Sequence, residues 1–145
     1  MNLFKAIYCN QYFELKPKGK ENSAKKNGTV LSAIALLLYF FSVFFILLLL
    51  FPDLGREIEG VFKDVFGRRT GRLAAKISVG VIMVLCFIIV KFTLDKDSVY
   101  NKTITEFESM SGEQQAKISK QGLIFFISSI VLVVGSLMVF LMIRG

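Results

Sequence analysis

The sequence predicts an all-α integral membrane protein, with three transmembrane helices and short interfacial amphipathic helices. Three observations carry this reading. Three long apolar runs interrupt the chain, the charges gather in the segments that flank them, and the intervening segments repeat apolar residues at helical spacing. With 145 residues, 54% of them hydrophobic, a soluble core of this size could not enclose a run such as Val30 to Phe51.

The first span is Val30 to Phe51. Its 22 residues carry no charge, and only Ser32 and Ser42 are small polar groups. At about 1.5 Å per residue it measures about 33 Å, enough for a hydrocarbon core of about 30 Å. Asn27, Gly28 and Thr29 are expected to cap it, and Pro52-Asp53 to end it. It is too long for a signal-peptide core and no small-residue cleavage site follows, so it is expected to stay in the mature protein. The second span is Leu73 to Phe92. Its uncharged centre, Ile77 to Val90, is 14 residues long and lies between Lys76 and Lys91, whose side chains can reach the headgroups. A re-entrant or buried helix is the competing reading. The third span, Leu123 to Ile143, has no ionisable residue and ends at Arg144.

Residues 1–28 read as an interfacial amphipathic helix and a basic linker. Phe4, Tyr8, Tyr12 and Leu15 share a helical face, with Leu3 and Ile7 beside them. Lys16 to Gly28 is rich in lysine and contains proline and glycine, a composition that argues against packed structure and for a headgroup-facing strap. Between the first two spans, Leu54, Ile58, Val61, Phe62, Val65 and Phe66 predict an amphipathic helix over 54–66, capped near Gly67 and lying on the membrane. Glu59 and Lys63 form a favourable i,i+4 pair within it. Residues 95–121 read as a polar loop, and Ser111 with Gln114 as a capping box that starts a helix running into the third span. Asp95, Asp97, Asn101 and Glu106 approach EF-hand spacing, but Val99 and Tyr100 replace a ligand and the turn glycine. Asn101-Lys102-Thr103 is a glycosylation sequon, relevant only in a eukaryotic lumenal loop.

Several chemistries are missing from the sequence. There is no histidine, Cys9 and Cys86 stand far apart without zinc spacing, and no carboxylate lies in a span. No metal or cofactor is therefore expected, nor a nucleophile with its base, nor ionisable groups at membrane depth such as a proton or ion path needs. Neither a P-loop nor a GxGxxG pattern occurs. The net charge of +7 lies in the flanks of the spans rather than along a groove or reading helix. It is read as lipid contact and topology, not nucleic-acid binding. Lys25, Lys26, Arg68, Arg69, Arg72 and Lys76 are the expected contacts to anionic headgroups.

Small residues recur every seven positions, as Gly28, Ala35 and Ser42 in the first helix and Gly122, Ser129 and Ser136 in the third. Such a stripe keeps bulky groups out of a helix-helix seam, so these six are the expected packing residues. The expected function is that of a non-catalytic accessory, assembly or stabilising subunit of a larger membrane complex, with other transmembrane subunits as partners. A small homo-oligomeric transporter or pore is one alternative, and a membrane-surface adaptor another.

The expected location is the bacterial inner membrane. With the amino terminus cytoplasmic, eleven basic residues lie inside: Lys5, Lys16, Lys18, Lys20, Lys25, Lys26, Lys91, Lys96, Lys102, Lys117 and Lys120. Seven lie outside: Arg56, Lys63, Arg68, Arg69, Arg72, Lys76 and Arg144. The positive-inside rule favours that orientation.

Overall fold

In a computed structural model, residues 2–144 are described, apart from the side chains at 68, 69, 71, 72, 75 and 144. Five helices follow one another: α1 (Leu3–Leu15), α2 (Ala24–Leu50), α3 (Pro52–Thr93), α4 (Asp97–Glu108) and α5 (Gly112–Arg144). No strand occurs among the described residues. Among the described residues, three segments are long and apolar enough to cross a membrane: Glu21–Leu50, Lys76–Thr93 and Gly112–Ile143.

Local chemistry explains three of the helix starts and the break within α3. The Asn2 side chain accepts a bond from the Phe4 amide at 3.0 Å and caps α1. Pro52 opens α3 in the first turn, where its missing N–H costs nothing, and Asp53 beside it suits the positive end of the helix dipole. The Gln114 amide donates to Ser111 Oγ at 3.4 Å, one of the two bonds of the capping box expected at the start of α5. The Glu59–Lys63 pair forms at 2.6 Å. At Gly67, φ is +73° and ψ is 159°, a backbone state open to glycine alone, and it breaks α3 in two.

α2 is the central element. It packs against α5 on one side and α3 on the other, while α3 and α5 make little contact with each other. Tyr39 meets Phe125 and Ser128, and Phe45 meets Phe140, so α2 and α5 run the same way. Thr29 near the start of α2 meets Asp95 just past the end of α3, so α3 runs back. One end of the bundle therefore gathers α1, α4, the starts of α2 and α5, and the end of α3.

That end is a packed cap, and it departs from the sequence reading in three ways. First, α1 does not lie on an open surface. Ala6, Ile7, Tyr8, Cys9 and Asn10 are buried, because α1 is enclosed by α2, α4 and α5. Second, the lysine-rich stretch is not a loose strap. It makes two short 3-10 turns, Lys16–Lys18 and Glu21–Ser23, and α2 begins at Ala24, so Asn27 to Thr29 lie inside the helix rather than capping it. Burial of Ala24, Gly28 and Thr29 outweighs the poor local propensity. Third, residues 97–108 form α4 instead of a loop, burying Thr103, Ile104 and Phe107. The calcium-like spacing is thereby wound into a helix, and within the sequon Asn101 is exposed while Thr103 is buried.

Two glycines make the cap possible. At Gly28 an added Cβ would lie 2.5 Å from the Tyr8 ring. At Gly122 it would overlap the Ala6 carbonyl itself. Backbone cannot yield as a flexible side chain can, so Gly122→Ala should loosen α1 by about 1–3 kcal/mol. Gly135, with nothing within 4 Å of its Cβ position, is the control. Limited proteolysis within residues 3–15 should accelerate in Gly122→Ala and stay at the parent rate in Gly135→Ala. Equal rates in both would contradict the packing described.

Candidate functional site

The densest group of interacting polar side chains lies in the cap, where three latches hold α1 and its neighbours. In the first, the Tyr8 hydroxyl is 3.0 Å from Thr29 Oγ1, which lies 2.8 Å from Asp95 Oδ1 and 3.0 Å from the Lys25 carbonyl. Thr29 has a single hydroxyl hydrogen. When that hydrogen goes to Asp95, Tyr8 donates to Thr29, and a directed chain links α1 to α2 and to the end of α3. Lys25 flanks it, 2.6 Å from Asp97 and 3.6 Å from Asp95, with its ammonium 5.9 Å from the Tyr100 ring centre. Tyr100 in turn meets Tyr8 edge to face at 5.8 Å.

In the second latch, Glu108 at the end of α4 accepts from Lys16 at 2.6 Å and from the Tyr12 hydroxyl. Beside it lies a cleft of about 250 Å³ lined by Tyr12, Phe13, Lys16, Pro17, Phe107, Glu108 and Gln115. In the third, buried Asn10 donates to Ser119 of α5 at 3.0 Å.

The electrostatics of these groups favour holding over reacting. Burial pushes the Tyr8 and Tyr100 phenols up to about 12, so both keep their protons at neutral pH. Burial likewise pushes the Cys9 thiol up to about 12, which suppresses the nucleophilic thiolate. Asp97 is held below the usual carboxylate range by its bond to Lys25.

The residues singled out from sequence fall in different places. Gly28 and Gly122 receive α1, whereas Ala35, Ser42 and Ser129 are buried further along the bundle and Ser136 is half-buried. Ser42, Ser129 and Ser136 each donate back to a carbonyl of their own helix. Lys25 is engaged by the cap carboxylates, while Lys26 and Lys76 are exposed. The side chains of Arg68, Arg69 and Arg72 lie outside the described residues. The sequence reading missed Tyr39, whose hydroxyl donates to the Phe125 carbonyl at 3.0 Å or shares a 2.8 Å bond with Ser128. It also missed Tyr100, Ile104 and Phe107, although their i, i+4, i+7 spacing is a helical face.

The second latch has a defined pH response. The Lys16 bond, then the Tyr12 bond, holds the Glu108 carboxyl below its usual value, so folding favours the carboxylate. Stabilisation from this latch is present above the unfolded glutamate value of about 4.3 and is lost as pH falls through the lower folded value. Carboxyl-carbon NMR titration should place the Glu108 midpoint below about 4.3, and Lys16→Gln should move it upward. An unmoved midpoint in that variant would contradict the latch.

No family model, no curated protein and no solved structure matches this chain.

Proposed function

We propose that the chain is an integral protein of the bacterial inner membrane, with its cap cytoplasmic, and that it serves as a non-catalytic assembly or stabilising subunit of a larger membrane complex. The observation that carries this reading is the outward face of α5. Val131 is 64% exposed, Met138 59% and Met142 82%, and the Cβ position of Gly135 between them is open. These four residues share one helical face at i, i+4, i+7 and i+11 spacing. Water does not tolerate such a surface along three helices, whereas lipid does. Within lipid, a glycine flanked by flexible side chains lets another helix approach closely.

The rest of the molecule supports the same reading. The strongest polar interactions are gathered in the cap, where they hold the chain's own helices together. The excess of basic residues on the cap side supports a cytoplasmic amino terminus. Other transmembrane subunits are thus the proposed partners. Anionic lipids are proposed as a second partner through Lys26, Lys76 and the Arg68, Arg69 and Arg72 cluster, with Lys25 committed to Asp97.

Copurification from native membranes in mild detergent tests the proposal. The chain should come down with stoichiometric partner subunits, and Gly135→Leu should lower their recovery about tenfold, the equivalent of about 1.4 kcal/mol. Ser129→Leu, at a buried position, should instead disturb the chain's own bundle. Recovery as a homo-oligomer alone would contradict the proposal, as would a point variant that assembles fully into an inactive complex.

A further inference from the structure

We propose that residues 54–66 form a surface anchor, seated in the lipid headgroup layer on the membrane face opposite the cap, with Gly67 as the elbow that turns α3 from lying along the membrane to crossing it. The inference rests on the reading of Lys76–Thr93 as a span and goes beyond the assembly role.

α3 has 42 residues, and a straight helix of that size measures about 63 Å, roughly twice a hydrocarbon core of about 30 Å. A straight α3 would push its first half well into water. That half is ill suited to water, because Val61 is 61% exposed, Val65 66% and Phe66 49%. Together with Leu54, Ile58 and Phe62 they occupy an arc of roughly 140°. Phe62 and Phe66 stack at 5.9 Å along it, and the ion pairs Arg56–Asp53 and Glu59–Lys63 lie on the remaining surface. The break falls at the end of this stripe, where Gly67 at φ +73° interrupts the helix before the span begins.

The stripe is continuous with exposed apolar surface at both of its ends. Phe51, 59% exposed at the end of α2, leads into it, and Leu73, 57% exposed, begins the apolar face that follows it. An apolar arc joined at both ends to the lipid-facing surface of two spans is seated in that same lipid, with its ion pairs toward water.

The chain has no tryptophan, so single substitutions report cleanly. Val65→Trp, Arg56→Trp and Val84→Trp would each be placed in vesicles of phosphatidylcholine and phosphatidylglycerol. Their fluorescence would be quenched either by lipid brominated near the headgroup or by aqueous acrylamide. Val65→Trp should be quenched by bromolipid at least twice as strongly as Arg56→Trp, and Arg56→Trp should be the more accessible to acrylamide. Equal acrylamide access at both positions would overturn the proposal. So would a Val65→Trp shielded from both quenchers, which would mean that protein covers the stripe. Val84→Trp reports the span itself. Its quenching by deeply brominated lipid while Val65→Trp escapes bromolipid would sink the anchor alone, and its failure to be quenched would sink both readings.

Discussion

The close approach of α1 to two parallel helices is the constraint on which the cap depends. Helix backbones stay about 8–10 Å apart when ordinary side chains stand between them. Gly28 and Gly122 remove those side chains at one level of α2 and α5, and α1 settles there with Tyr8 over one glycine and the Ala6 carbonyl against the other. Each latch needs that placement. Tyr8 can reach Thr29, Asn10 can reach Ser119, and Tyr12 can reach Glu108 only from a seated α1. Substituting one latch partner removes the bonds of that latch, whereas bulk at Gly122 strikes the backbone that positions all three.

Polarity is divided sharply between the cap and the spans. The cap encloses a small apolar core, with Phe107 and Ile7 buried, and carries exposed ion pairs such as Lys16–Glu108 at its edge. Along the spans the hydroxyls of Ser42, Ser78 and Ser129 satisfy themselves on their own helices. That satisfies each of these hydroxyls without a partner from another helix. Tyr39 instead bonds across from α2 to α5 in the interval between the cap and Phe45–Phe140, and the buried Ser32 hydroxyl has no hydrogen-bond partner among the described residues. α3 is held by α2 and has little contact with α5, which leaves both outer helices with wide apolar faces.

The features of the fold that are local in sequence were the ones legible in it. The apolar runs, the Ser111–Gln114 box, the stripe from Leu54 to Phe66 and its end at Gly67 each depend on residues within a few positions of one another. What escaped depends on distant partners. Ala24 to Gly28 read as part of a strap because the proline, glycines and charges of Lys16 to Gly28 argue against packed structure. They are helical because Tyr8 and Asp97, remote in the chain, bury and pair them. α1 read as lipid-facing because its aromatic face fits headgroups and a packed partner equally well. The repeat at Gly28 and Gly122 was visible, but its spacing carried no sign that a third helix seats there. Tyr100, Ile104 and Phe107 were a missed periodicity, hidden by acidic neighbours that resembled a cation-binding loop.

The seating of α1 is tested most directly by a disulfide between its start and α5. Phe4 and Phe125 meet edge to face with ring centres 5.1 Å apart. A Phe4→Cys/Phe125→Cys variant, with Cys9 and Cys86 replaced by alanine, should oxidise to an intramolecular disulfide in native membranes. Phe4→Cys/Leu141→Cys should not, because Leu141 lies four turns of helix further along α5. Bridging in the first pair alone is the result the account predicts; no bridging in either, with the spans intact, or equal bridging in both, would contradict it.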